Sequence, residues 1–239
     1  MTGLRDHHLD IIIGRPDQAG SRLQALARQV IDDGERDRAR RFVFERDREL
    51  FTFAHGFLRL TLARYLDADP RALHFLQSPG GRPECLSADG GVPIRFNLSH
   101  THGLVACAVT RAADCGMDVE GLGRVDYRDL VATVLAPSEI AELMALDEAA
   151  RPESFLAYWT LKEAYVKGRG LGLAIPVIDV RFSDLNGQCH FTLGAGIEDA
   201  ASDWRFWTGR PTSNHLAAAA LRTRGERATF TVREFEELI

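Results

Sequence analysis

The chain has 239 residues, 45% of them hydrophobic and 26% charged, with a formal net charge of −5. These values describe an ordinary globular protein, one large domain or two smaller ones sharing an interface, and their sign argues against a nucleic-acid binder. The longest early apolar run, residues 9–13, is far too short for a signal-peptide core or a membrane span, so a cytoplasmic protein is expected.

In chain order, residues 8–14 (HLDIIIG) are β-branched and run into Gly-Arg-Pro, a strand and a turn. Residues 17–30 carry Leu23, Leu26, Ala27 and Val30 at helical spacing. Within 35–41 four arginines fall in six positions. They suit a solvated helix face with local Asp/Arg pairs, or a phosphate-binding patch, because guanidinium forks match phosphate oxygens. The main helix of the first half is expected over 47–66, where Phe51, Phe53, Ala54, Phe57, Leu58, Leu62 and Leu66 form an apolar stripe with Arg59 among them. Asp69-Pro70 ends it. A short strand at 74–76 follows, then a turn at 79–83 whose glycines let backbone amides approach a ligand. Residues 95–100 (RFNLSH) lead into an apolar strand at 104–109. Asn97, Ser99 and His100 form a polar corner able to donate to phosphate oxygens, or simply to cap a turn.

Residues 115–120 read CGMDVE. In a strand, Asp118 and Glu120 share one face while Met117 and Val119 face the core. Two like charges there repel unless a positive group stands between them, and oxygen-only ligands suit Mg²⁺ or Ca²⁺. The plainer alternative is an edge strand with one wet face. A loop at 121–124 precedes helices at 126–135 and 138–146. The main helix of the second half is expected over 152–168, with Pro152 in its first turn and Gly168 just past its last. Glu163 and Lys167 share a face of it. Trp159, Tyr158, Leu161 and Tyr165 surround the pair, which places it at the edge of a core. A loop at 168–172 leads to strand candidates at 177–182, 190–193, 204–207, 215–221 and 229–232. Four cysteines show no CxxC pairing; Cys107 and Cys115 read as buried free thiols.

Residues 49–59 align with 153–163 at a shift of 104, and 104–109 with 216–221 at a shift of 112. The expected fold class is therefore α+β. Two pseudo-two-fold-related halves, 1–113 and 114–239, each carry a long helix on a small antiparallel sheet, with a cleft between them. In this register Arg59 and Glu163 would be opposite numbers.

Taken together, GRP at 81–83, FNLSH at 96–100, GMDVE at 116–120 and WTLKEAYVK at 159–167 resemble the Sfp-type 4′-phosphopantetheinyl transferases over most of the chain. The resemblance implies an enzyme that uses Mg²⁺ (or Mn²⁺) to move the phosphopantetheine arm of coenzyme A to a serine of an apo acyl or peptidyl carrier protein, releasing adenosine 3′,5′-bisphosphate. It implies a monomer with no membrane or nucleic-acid partner. By resemblance, Asp118, Glu120 and Glu163 would hold the metal, Glu163 would deprotonate the serine, and Lys167 would lie on the pyrophosphate. Lys162 matches the cofactor-binding motif, with a helical angle that could instead point it elsewhere. Asn97, Ser99 and His100 would sit at the phosphates and Arg38 at the 3′-phosphate. Gly81, Arg82 and Pro83 would meet the adenine, with arginine where lysine is common. The carrier would dock around 125–135, with Val125, Tyr127, Leu130 and Val134 in contact. The rival readings are a coenzyme A or carrier-protein binding module without turnover, and a metal-dependent phosphoesterase.

Overall fold

The structure, a computed structural model, describes residues 4–78, 81–86, 94–123, 126–185 and 189–238. The first half runs β1 (His8–Gly14), α1 (Ser21–Val30), α2 (Asp33–Arg40), α3 (Glu45–Leu66), β2 (His74–Gln77), β3 (Pro83–Leu86), β4 (Ile94–Thr101) and β5 (Leu104–Arg111). The second half repeats that order: β6 (Cys115–Gly121), α4 (Val131–Val134), α5 (Pro137–Met144), α6 (Arg151–Arg169), β7 (Val180–Ser183), β8 (His190–Leu193), β9 (Trp204–Thr212) and β10 (His215–Arg222). A last strand, β11 (Thr229–Glu234), has no counterpart.

The pairing obeys the same symmetry. β5 lies antiparallel between β1 and β4, and β10 lies antiparallel between β6 and β9. The opening strand of each half thus pairs with the second strand of its closing hairpin, and β2–β3 and β7–β8 form small side ribbons. β11 departs from the repeat. It follows the second half in sequence but pairs in parallel with β1, extending the first sheet to the order β11-β1-β5-β4.

Alternation explains how the layers stack. Leu9, Ile11 and Ile13 of β1 and Leu104, Ala106 and Ala108 of β5 meet Cys115, Met117 and Val119 of β6 and Ala217, Ala219 and Leu221 of β10 in one core between the sheets. The opposite face of the first sheet packs on α3 through Phe53, Phe57, Val105 and Val109. That of the second packs on α6 through Phe155, Leu161, Tyr165, Ala218 and Ala220. Strands buried on both faces read as continuous apolar runs, and β5 and β10 do so with small residues that let the layers approach. Cys107 and Cys115 are buried free thiols.

The second long helix differs from expectation at its end. It continues through Gly168 to Arg169, and Gly170, at φ +65°, takes the left-handed cap. Gly168 serves close approach instead. A Cβ there would lie 2.9 Å from the Trp204 ring, and one on Gly116 would lie 1.9 Å from the Ala164 carbonyl oxygen. Gly116→Ala should therefore force β6 and α6 apart and cost about 3 kcal/mol or more, at or above the usual range for overpacking. Urea denaturation reads this directly, and a loss below about 1 kcal/mol would mean the helix slides freely.

The two halves also share a buried ion pair, and it corrects the expected register. In the first half Arg59 donates from Nε to Glu35 (2.6 Å) and from one terminal nitrogen to the Pro70 and Leu73 carbonyls. Glu35 closes the capping box of α2 by accepting from the Asp32 amide. In the second half Lys162 Nζ lies 2.6 Å from Glu139 and donates to the Val134 and Val177 carbonyls, while Glu139 accepts from the Ala136 amide at the start of α5. Glu35 and Glu139 are 104 residues apart. The opposite number of Arg59 is thus Lys162, one position short of Glu163, because the cation must face inward to reach the capping glutamate.

Candidate functional site

The site forms where β6 and α6 of the second half meet β4 of the first. The inward alternation of β6 sends Met117 and Val119 into the core and turns Asp118 and Glu120 toward α6, as the sequence spacing requires. β6 is the outer strand of its sheet, but its carboxylate face is not wet: Asp118 is 3% exposed and Glu120 is half-buried.

Helical spacing places Trp159, Glu163 and Lys167 along one side of α6. Lys167 Nζ lies 2.5 Å from Asp118 Oδ1 and donates to Ser99 Oγ at 3.2 Å. Ser99 in turn donates to Asp118 Oδ1 (3.1 Å) and accepts from the Val119 amide. Asn97, two residues earlier on the same face of β4, accepts from the Met117 amide at 3.0 Å. Asn97 and Ser99 therefore stitch β4 to β6 with side chains where no main-chain ladder runs. Trp159 Nε1 donates to Glu120 Oε1 at 3.1 Å.

The electrostatics follow from this crowding. Burial and then the charge of Asp118 raise the pKa of Glu163, with Lys167 opposing. Burial and Asp118 also raise Glu120, against the Trp159 hydrogen bond and Lys167. The pKa of His100 is lowered by partial desolvation, then by the His55 and Lys167 charges. Asp118 Oδ2 is buried and has no hydrogen-bond partner among the described residues. A buried carboxylate oxygen without a donor, beside two carboxyls whose ionisation is opposed, is a set of hard ligands that a divalent cation would satisfy. The three carboxylates do not close into a cage, however. Among the described residues no three His, Cys, Asp or Glu side chains are placed to hold a metal ion. The fit is to an ion that keeps most of its water and takes one or two protein oxygens, as Mg²⁺ does.

Two clefts open beside this cluster and share Pro83 and Asn97. One, of about 310 Å³, is lined by Gly81, Arg82, Glu163, Val166 and Lys167 among others. The other, of about 470 Å³, is lined by Glu35, Arg38, His55, Phe75 and Leu98 among others. Sharing Pro83 and Asn97, they make a groove with Arg82 and Lys167 in one part, Arg38 in the other and apolar side chains in both, which suits a phosphate-bearing ligand.

The structure brings Asn97, Ser99, Asp118, Glu163 and Lys167 together, with Glu120 adjoining through Trp159 and His100 within reach of the Lys167 charge. Arg82 lines the groove, but it also donates to Asp114 (2.9 Å) and to the Gly168 carbonyl, fastening the end of α6. Of the arginines at 36–41, Arg38 lines the second cleft and lies over the Phe51 ring, whereas Arg36 and Arg40 pair with Asp33 and Asp37. Lys162, expected at the cofactor, is not part of the site: it is 0% exposed and held by Glu139 and two carbonyls. Of the expected carrier contacts, Tyr127 and Val134 are core residues and Leu130 packs against that core. Val125 lies outside the described residues.

Two residues went unread in the sequence. Trp159 was placed only as a packing residue, although its spacing from Glu163 was visible. His55 lies four residues after Phe51 and four before Arg59, on the face of α3 that borders the groove, and that spacing was the available signal.

A two-halved α+β protein with an acid–lysine cluster at its seam, approached by a cation-tipped groove, is the class that fold and site define. Comparison with known proteins makes it specific. A family model described as the 4′-phosphopantetheinyl transferase superfamily matches residues 114–220, and one described as 4′-phosphopantetheinyl transferase, N-terminal, matches 19–112. The chain is 36% identical over 159 residues to the 4′-phosphopantetheinyl transferase HetI of Nostoc sp., covering 66% of this chain and 67% of that one. It is 25% identical over 190 residues to a 4′-phosphopantetheinyl transferase of Bacillus subtilis, covering 79% and 81%. A holo-(acyl-carrier-protein) synthase structure from Bacillus anthracis, in complex with CoA (3′,5′-ADP), aligns at 18% identity over 46% of this chain and 97% of that one, with a TM-score of 0.40, too low to carry an argument. The chain belongs to the 4′-phosphopantetheinyl transferase superfamily, enzymes that transfer the phosphopantetheine group from coenzyme A to carrier proteins. No helix of the described residues is long and apolar enough to cross a membrane.

Proposed function

We propose that the chain carries out this transfer with Mg²⁺, moving the arm of coenzyme A to a serine of an apo acyl or peptidyl carrier protein and releasing adenosine 3′,5′-bisphosphate. The observation that supports it most is the contact of Ser99, Asp118 and Lys167, with Asp118 Oδ2 left unpartnered and Lys167 and Glu163 lining the groove.

In this reading Asp118 would hold the ion through its unpartnered Oδ2, with Glu120 and Glu163 reaching it through its water shell. When bound, it would screen the pyrophosphate charge that otherwise repels an attacking oxygen. Lys167 swings between Asp118 and a phosphate oxygen, and its partial exposure allows that movement. Glu163 accepts the serine proton, directly or through a water on the ion. His100, whose pKa is lowered, offers a phosphate a hydrogen bond. Arg38 meets the ribose phosphate at the far end. One chain supplies both walls of the groove, which supports a monomer as the working unit; we take the cytoplasm, where coenzyme A is at hand, as its place of action.

Incubation with coenzyme A, Mg²⁺ and a panel of apo carrier proteins should add the phosphopantetheine mass to a carrier serine, and a chelator should abolish the gain. No gain on any carrier would sink the proposal. Coenzyme A binding without nucleotide release would favour a binding module, and free phosphopantetheine without any carrier would favour a phosphoesterase.

A further inference from the structure

We propose that His55 is a second contact, beside Arg38, for the phosphate that coenzyme A carries on its ribose, and that it sets the preference for coenzyme A over dephospho-coenzyme A. The inference rests on the coenzyme A reading of the groove and adds a residue that no motif of the chain pointed to.

Coenzyme A carries phosphate at two places, the pyrophosphate and the ribose 3′ position, separated by the width of a sugar. The groove has cations at two places. Lys167 stands at one end, and the cleft that continues past Pro83 and Asn97 has Arg38 and His55 at the other. In that same cleft Leu58, Phe75 and Leu98 give the apolar wall that a purine requires.

His55 is built into that far end rather than merely present there. Its Nδ1 lies 2.9 Å from Glu35 Oε1, and its ring lies 4.1 Å from that of Phe51. Arg38 lies 5.5 Å from the centre of the same Phe51 ring, so one aromatic ring positions both side chains. Burial alone would raise the Glu35 pKa. The hydrogen bonds from His55, the Asp32 amide and Arg59 outweigh it and bring the carboxyl down to about 2. With Nδ1 held by the ionised Glu35, Nε2 is the nitrogen left to a ligand, and it donates to a phosphate oxygen when the arriving phosphate brings a proton onto the ring. The negative charges facing this end, Glu35 and Asp32, are both held by Arg59. A phosphate entering between Arg38 and His55 therefore meets hydrogen-bond donors rather than unpaired acids. The neutral alternative is that His55 only buttresses Glu35, and the two roles separate by experiment.

Calorimetric titration of the full chain with coenzyme A and with dephospho-coenzyme A, in the wild type and in His55→Phe, tests this. The wild type should bind coenzyme A more tightly than the dephospho form. His55→Phe, which keeps a ring against Phe51, should weaken coenzyme A binding about tenfold, in line with one charge-assisted hydrogen bond, and change the dephospho affinity less than about twofold. Equal losses on both ligands, or no loss on either, would overturn the inference and leave His55 a packing residue. A wild type that binds both ligands equally would overturn it too, whereas one that binds neither would instead overturn the coenzyme A reading beneath it. Should His55→Phe fold poorly, the imidazole NMR resonances of His55 in the wild type give the second reading. They should shift with coenzyme A and stay in place with dephospho-coenzyme A; a response to both or to neither would overturn the assignment.

Discussion

Asp118→Asn should lower kcat by at least about two orders of magnitude while leaving the melting temperature close to that of the wild type. The substitution keeps the shape of the side chain and removes its charge. What is lost is the anion that pairs with Lys167 at 2.5 Å and offers the buried, unpartnered Oδ2. Removing one such charge-stabilising contact in a transition state costs about 10²–10³ in rate. Stability should change little, because two effects oppose. The variant loses the pairing with a partly exposed lysine, and it relieves the repulsion that Asp118 exerts on Glu120 and Glu163. Steady-state kinetics over a Mg²⁺ titration, with a thermal melt alongside, decide the matter. A rate within tenfold of wild type at saturating Mg²⁺ would show that Asp118 is not central to the chemistry.

The second large effect is on folding. Lys162→Met should destabilise the chain by about 3–5 kcal/mol, the usual result of removing one partner of a buried ion pair. Glu139 would stay buried with its charge uncompensated, and the Val134 and Val177 carbonyls would lose their donor. For a chain of this length that corresponds to roughly 6–20 °C in melting temperature. The KM for coenzyme A of the folded variant should stay within about twofold of wild type, because the ammonium points away from the groove. A large rise in KM without loss of stability would return Lys162 to the ligand. Adding Glu139→Gln should recover part of the loss by removing the stranded charge.

These two residues show how far the sequence could be read. Asp118 was legible because a strand has a period of two: Asp118 and Glu120 had to share a face, and Met117 and Val119 had to oppose them. Glu163 and Lys167 were legible because a helix repeats every three to four residues. Lys162 was not, since it lies next to Glu163 in sequence but about 100° around the helix, and only the position of α5 decided what stood there. The helix expected at 126–135 is a single 3-10 turn, Tyr127–Asp129, followed by the short α4, because Tyr127, Val131 and Val134 are set by the core they fill. The repeat was legible in order and spacing. Its exact register was not, because the symmetry is kept by a capping glutamate and an inward cation whose identity differs between halves.

By itself the sequence determined the α+β class, the two-fold order of elements and the shared faces of the acidic and basic residues, since each depends only on local backbone period and capping. The tertiary structure alone decided which faces meet. It returned β11 to the first sheet, joined β4 to β6 through Asn97 and Ser99, buried Lys162 against Glu139 and turned His55 beside Arg38. Each of these joins residues at least seventeen positions apart. What stands opposite a side chain across such a separation is set by how whole elements pack, and no local periodicity carries that information.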